Sequence, residues 1–434
     1  MSETPTVHVV GGGLAGLAAA LGCAEAGART VLHEAAPRLG GRCRSFHDAT
    51  LGLVIDNGNH LMMGANHAAL GLVARAGAMG ELAIPARPAY PMVDLASGRR
   101  FTVRPGGAAR PWWPFAGDGG APGAGLADLA DVVRLARAPE EATVAQAIRR
   151  RGALWRSFWE PLTVAAINAP PERAQARLLW PVIARAFLGP RKAARPVIAR
   201  RALAAALVDP VAARLQALGG TIRLAARIDR LEVEDGRVRA LDGGGGGTGA
   251  DGRIRLGPRD ALILAVPWHG AARLLPGLAT PGDGAPILNA HFRLSAPPPP
   301  LPAGALLLGV LGATSQWIFV RGDHVAVTVS AADLEAAGPD EQARLARIGA
   351  ELRAALALPE TVRIEAGRII TEKRATFDPA PASVALRPQP GAANIANLLL
   401  AGDWTATGLP ATIEGAVASG DRAAALMRQR LREL

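Results

Sequence analysis

The chain has 434 residues, an apolar content sufficient for two or three packed units, and two cysteines, Cys23 and Cys43. Two thiols cannot build a disulfide framework and lack metal-ligand spacing, which excludes a small stapled secreted scaffold and makes the cytoplasm the expected compartment. The formal charge of +11 rests almost wholly on arginine, the lysines being Lys192 and Lys373. The arginines are scattered and no basic strand carries stacking aromatics, so nucleic acid is not the expected partner. Peripheral contact with an anionic surface, the inner face of the cytoplasmic membrane, stays compatible with the charge.

In chain order, "VHVV" (Val7 to Val10) predicts a short strand entering Gly11-Gly12-Gly13, and "LAGLAAALGCAEAG" predicts an alanine-rich helix ending at Gly27. "ARTVLHEA" then predicts a second strand ending at Glu34. Gly11, Gly13 and Gly16 thus form G-x-G-x-x-G between a strand and a helix, the context that motif requires. The first glycine permits the tight turn, the second admits a pyrophosphate to the backbone, and the third lets helix and strand pack closely. The amides around Leu14 and Ala15 at the helix start face the phosphates. Glu34 stands where an acid takes the ribose hydroxyls and would repel a 2′-phosphate, so the dinucleotide is FAD or NAD.

Further along come "PRLGGRCRS", with Gly40, Gly41 and Arg42, and "IDNGNH", Ile55 to His60. The segment Arg149 to Gly189 has helical period, with Trp155, Phe158, Trp159, Leu162 and Ile167 on apolar stripes, and Trp159 is a candidate cavity residue. "GGTIRLAARIDRLEVEDGRVRAL" alternates like two strands joined at "EDG", and "DALILAVP" reads as a buried strand. The glycines at 243 to 247 have no strand before them and no helix after, so they predict a loop. Prolines 297 to 300 form an extended connector. The uncharged run Ala303 to Val320 is just long enough to span a bilayer, but its "GAT" turn favours two short buried strands. "NLLLAGDWTATGLPATIEGAVASGDRAA" predicts a strand running into Gly402-Asp403, then a loop and a helix starting near Ala411 or Thr412. Its amides are suited to an anionic edge. The histidines, among them His33, His67, His269 and His324, show no metal spacing, and no metal is expected.

The glycine turn followed by G-G-R, D-x-G and the terminal G-D segment resembles the flavin-containing amine oxidase and phytoene desaturase superfamily. The combination of N-G-N-H, "EKRATF" and "GDWTATGLPATIEG" resembles more narrowly, over nearly the full length, the squalene-associated FAD-dependent desaturases, the hydroxysqualene dehydroxylase group. That resemblance implies an α/β fold, with a Rossmann-type FAD-binding domain built from residues 1–82, 205–275 and 365–434, interleaved with a mixed α+β substrate domain from 83–204 and 276–364. It implies FAD as cofactor, with Arg42 by the pyrophosphate, Gly40 and Gly41 near the flavin, and backbone of Arg227 and Ile228 clamping the adenine. Asp403 would bond the ribityl chain, and the turn at Thr412, Ile413 and Glu414 would face the ring.

The implied activity is reduction of hydroxysqualene to squalene, by loss of water from an allylic alcohol and hydride transfer from reduced FAD. A long-chain isoprenoid is then the substrate. A transient NAD(P)H or an external electron donor is the partner, because the chain carries no second G-x-G-x-x-G. A charged His60 or Lys373 in "EKRATF" would supply the proton. A single tyrosine, Tyr90, argues against the paired-tyrosine cage of amine oxidation. A carotenoid-type desaturase running in the opposite redox direction, and a flavin-stabilised lipid carrier, are the alternatives.

Overall fold

The computed structural model describes residues 5–106, 120, 122–243 and 252–433. The glycine run at 243 to 247 lies, from Gly244 on, outside the described residues.

Among the described residues, five strands form a parallel sheet in the order Thr221–Arg223, Arg29–His33, Thr6–Val10, Ala261–Leu264, Leu398–Leu400. The inner strands are buried along almost their whole length, which is why they read as apolar runs rather than as alternating patterns. The first helix, Leu14–Glu25, and the C-terminal helix, Ile413–Glu433, pack together on this sheet. Two glycines set their separation: a β-carbon at Gly420 would stand 2.2 Å from the Ala15 carbonyl oxygen, and one at Gly22 would stand 2.8 Å from Ala424 Cβ.

A seven-stranded sheet lies alongside, in the order Ile364–Glu372, Ile287–Leu294, His324–Val329, Trp317–Arg321, Leu307–Leu311, Tyr90–Asp94, Arg100–Val103. The uncharged run at 303 to 320 supplies two of its strands, Leu307–Leu311 and Trp317–Arg321, paired antiparallel. Among the described residues no helix is long and apolar enough to cross a membrane. The "EDG" segment is a tight turn between Arg230–Glu234 and Arg237–Asp242, with Asp235 and Gly236 both at positive φ, the geometry that matches strand twist in a two-residue hairpin.

The two sheets are not cleanly separated in sequence. Strand Ile364–Glu372 straddles position 365 yet belongs wholly to the seven-stranded sheet. Strand Pro196–Ala199 pairs with Met62–Met63 and Leu82–Ala83, tying the segment before 82 to the segment before 204. Such crossings arise from long-range strand pairing, which leaves no local composition signal.

Two histidine pairs are buried in the sheets. His8 Nδ1 and His33 Nε2 lie 3.1 Å apart, as do His291 Nδ1 and His324 Nε2, and each pair is stacked. Burial pushes His8 and His324 down to about 4 and His33 and His291 down to about 3. Arg223 and Arg29 reinforce this around the first pair, with Asp260 opposing, and Arg321 around the second, with Asp323 opposing. An imidazole whose folded value lies below its ordinary 6.5 contributes stability above that value and loses it as pH falls towards 4. Asp56, Glu160 and Asp421, pushed up by burial, act in the opposite sense, while His60 and His269, pushed down by burial, add to the four. The thermal midpoint should therefore fall by roughly 5 °C or more between pH 7 and pH 5, measured by scanning fluorimetry; a midpoint constant over that window would contradict the neutral-pair assignment.

Candidate active site

One cavity of about 1050 Å³ runs between the two sheets and is lined by residues from every stretch that the motifs occupy. Its walls include Gly11, Gly13, Leu14, Ala15, Glu34, Gly40, Gly41, Arg42, His60, Ile228, Lys373, Gly402, Asp403, Thr412 and Ile413. Gly16 stands one turn into the helix, where a β-carbon would collide with the Gly11 carbonyl oxygen at 1.8 Å, so its role is close packing of helix on turn.

At the polar end the backbone supplies donors. The helix Leu14–Glu25 starts at Gly13 with no side-chain cap, leaving its first amides open towards the cavity. A β-carbon on Gly13 would meet nothing within 4 Å, so bare backbone faces open space there. Gly11, at φ +111°, makes the turn. Glu34 is pinned by that turn: its Oε2 accepts from Gly12 N at 2.6 Å and its Oε1 from Ala36 N at 2.7 Å. An uncapped helix end, bare glycine backbone and an anchored carboxylate suit a pyrophosphate and a ribose, which is the donor set FAD requires.

Arg42 is held on the cavity wall. It donates to Asp403 Oδ1 at 2.7 Å and to the Ala375 carbonyl at 2.6 Å, and lies over the Trp268 ring. The half-buried Arg42 and the buried Asp403 thus form one ion pair. Glu414 lines the cavity at the start of the C-terminal helix. Its carboxylate accepts from Ala68 N and Ala69 N, capping the helix His67–Arg75 and locking it to the C-terminal helix.

His60 lines the cavity with its Nε2 4.0 Å from Cys43 Sγ. Burial, and then the Arg42 cation, push it down to about 4, so the imidazole is neutral at pH 7. The apolar surroundings and the positive neighbour both oppose a proton on the ring. Burial pushes the Cys43 thiol up to about 12, which makes it an inert neighbour. Lys373, just past strand Ile364–Glu372, is solvent-exposed while also lining the cavity.

The other end is apolar. Phe158, Pro161, Leu162, Val182 and Phe187 come from the helical segment, and Tyr90, Met92, Trp317 and Phe319 from the seven-stranded sheet. Trp159 is not among the lining residues; it is buried in the core, and Phe158 and Leu162 on the neighbouring face hold the position expected of it. Tyr90 donates its hydroxyl to the Ala194 carbonyl at 2.6 Å, so it offers a ring to the cavity. A cluster that sequence reasoning missed, Asn289 and Thr328, joins Asn59 on the wall. These two come from adjacent strands at paired register, a juxtaposition that spacing along the chain does not display.

A family model described as flavin containing amine oxidoreductase matches residues 14–428. The chain is 41% identical to the hydroxysqualene dehydroxylase of Rhodopseudomonas palustris, over 97% of this chain and 98% of that one. It is 38% identical to the hydroxysqualene dehydroxylase of Sinorhizobium fredii, over 97% of each. Among solved structures, cyclohexylamine oxidase from Brevibacterium oxydans superposes with a TM-score of 0.71 at 16% identity, over 99% of this chain and 100% of that one. Putrescine oxidase superposes at 0.68 with 16% identity, covering 98% and 99%. Those two likenesses concern the fold, and the sequence relatives narrow it. The chain belongs to the flavin-containing amine oxidoreductase family and, within it, to the hydroxysqualene dehydroxylase group, as a FAD-dependent oxidoreductase.

Proposed function

We propose that this protein reduces hydroxysqualene to squalene. The observation that carries the reading is one continuous cavity, polar at the glycine turn and lined by Phe158, Leu162, Phe187, Tyr90, Trp317 and Phe319 at its other end, in a chain similar over 97% of its length to hydroxysqualene dehydroxylases. The change balances as an alcohol plus two electrons and two protons giving a hydrocarbon and water. FAD, when bound in reduced form, supplies the two electrons and the hydrogen that goes to carbon.

The residues of the chain then divide the remaining work. Leu14, Ala15 and Gly13 would hold the pyrophosphate through backbone amides, and Glu34 the adenosine ribose. Backbone at Ile228 would hold the adenine, Arg42 and Asp403 the phosphate and ribityl chain, and Gly40, Gly41, Gly402, Thr412 and Ile413, which line the same cavity, would hold the flavin. The apolar walls exclude water and offer aromatic faces to a delocalised allylic cation. Lys373 delivers a proton towards the departing oxygen, and neutral His60 acts as a hydrogen-bonding group. Electrons reach the flavin from a transient NAD(P)H or an external donor.

Access for a long isoprenoid is proposed through peripheral contact with a membrane. Leu129 and Val133 are 47% and 48% exposed on helix Leu129–Ala136, and Arg149, Arg150 and Arg151 are exposed nearby in sequence. Apolar side chains beside arginines suit an anionic bilayer surface.

The reading is tested by mixing dithionite-reduced holoenzyme with hydroxysqualene without oxygen. Flavin reoxidation with stoichiometric squalene is expected; a flavin that stays reduced, and is instead reduced from the oxidised state by phytoene, would move the protein to desaturation. Lys373→Met should lower the single-turnover rate by about 10²-fold at unchanged FAD content, and an unaltered rate would remove Lys373 from the chemistry. Arg42→Met leaves Asp403 as an unpaired buried carboxylate, costing about 3 kcal/mol at the site. The variant should purify with most of its flavin absorbance lost, and full flavin content would contradict the assigned role.

A further inference from the structure

Gly58, the glycine of the D-x-G segment, is not required by its backbone. Its φ is not in the positive region, and an added β-carbon would meet no atom closer than ordinary van der Waals contact. The atoms that such a carbon would approach are Asn289 Nδ2 at 3.4 Å and His60 Nε2 at 3.5 Å. Two ring and amide nitrogens thus converge on one atom-sized spot beside a residue without a side chain, and Gly58, His60 and Asn289 all line the cavity.

The orientation of Asn289 is fixed. Its Oδ1 accepts from Asn59 N at 3.2 Å, Asn59 Nδ2 at 3.3 Å and Thr328 Oγ1 at 2.9 Å. Since a backbone amide can only donate, the atom facing Asn59 must be oxygen, which turns the amino group towards Gly58. That amino group's other contact is a long one, 3.4 Å to the Asn57 carbonyl. Asn289 is 1% exposed, and the knot is not fully satisfied: Asn59 Oδ1 is buried without a hydrogen-bond partner among the described residues. Buried carboxamides are costly beside a hydrocarbon pocket unless they are used.

Building on the proposed reaction, we infer that Asn289 and His60, with the space left by Gly58, form the site that receives the substrate's single hydroxyl. A thirty-carbon chain with one oxygen needs one polar spot in an apolar cavity. A donor fixed there binds the alcohol and not the hydrocarbon product, so Asn289 is a specificity-determining residue that both places the hydroxylated carbon and favours product release. Asn59 and Thr328 act through Asn289 as positioning residues.

The test uses oxidised holoenzyme, which binds substrate without turning it over, and reads binding from the flavin absorbance in one detergent. Hydroxysqualene should bind about tenfold more tightly than squalene, the size of effect one hydrogen bond supports. Gly58→Ala fills the spot with a single methyl group and should abolish that ratio, leaving FAD content and squalene affinity unchanged. Asn289→Leu should do the same. Equal weakening of both ligands, an undiminished preference for the alcohol, or loss of FAD from Gly58→Ala would overturn the inference, the last by giving the spot to the cofactor. Wild-type turnover of hydroxysqualene in the same preparation separates this outcome from failure of the proposed reaction: turnover with an intact ratio in both variants sinks the hydroxyl site alone.

Discussion

Arg42 and Asp403 are 361 positions apart in the chain and 2.7 Å apart in space. Around that pair the molecule brings its distant segments together, because Arg42 also donates to the Ala375 carbonyl and Asp403 follows the strand Leu398–Leu400. A second clamp supports the loop after Asp403. Arg387, buried and pushed down to about 10 by its burial, donates to the carbonyls of Asp403 and Thr405 and to Thr407 Oγ1. A guanidinium is suited to this, since its planar fork serves several acceptors from a fixed position. The N-terminal and C-terminal helices are then held in register by the glycine contacts at Gly22 and Gly420, which sets both helix starts at the cavity.

With the polar end built this way, the electrostatics of the cavity follow. Burial, and then the cation at Arg42, push the nearby imidazole of His60 towards neutrality. Lys373, exposed, also lines the cavity and is the proton donor in the proposed reaction. The apolar walls at the far end would serve the proposed reaction twice, taking a long hydrocarbon and keeping bulk water away from a cation that water would capture. The same walls would suit a desaturase, so the hydrophobic lining does not distinguish the two directions of electron flow.

Much of this was legible in the sequence where the cause is local. The strand, glycine turn and helix at Thr6 to Glu25, the hairpin at Asp235-Gly236, and the strand pair inside the uncharged run at 303 to 320 each follow from short-range rules of period and turn chemistry. The glycine and acid positions of the nucleotide motif were also readable, because each has a spacing set by the backbone. What was not readable depends on register between strands far apart in sequence. Asn289 and Thr328 meet because their strands pair at that register, and Asn59 reaches them from a different segment. Glu414 could be placed at a helix start, yet its partner, the amide end of His67–Arg75, could not be foreseen. Likewise, helical period put Trp159 on an apolar face without showing that Phe158 and Leu162 would be the ones to meet the cavity.

The central claim is that one cavity holds both the flavin and the isoprenoid. It is tested most directly by a crystal structure of the purified holoenzyme with squalene. The account predicts flavin density beside Arg42 and Asp403, and a continuous hydrocarbon running past Phe158, Leu162 and Phe187 in the same cavity. Squalene bound only outside that cavity, or a flavin whose ring blocks the apolar end, would contradict it.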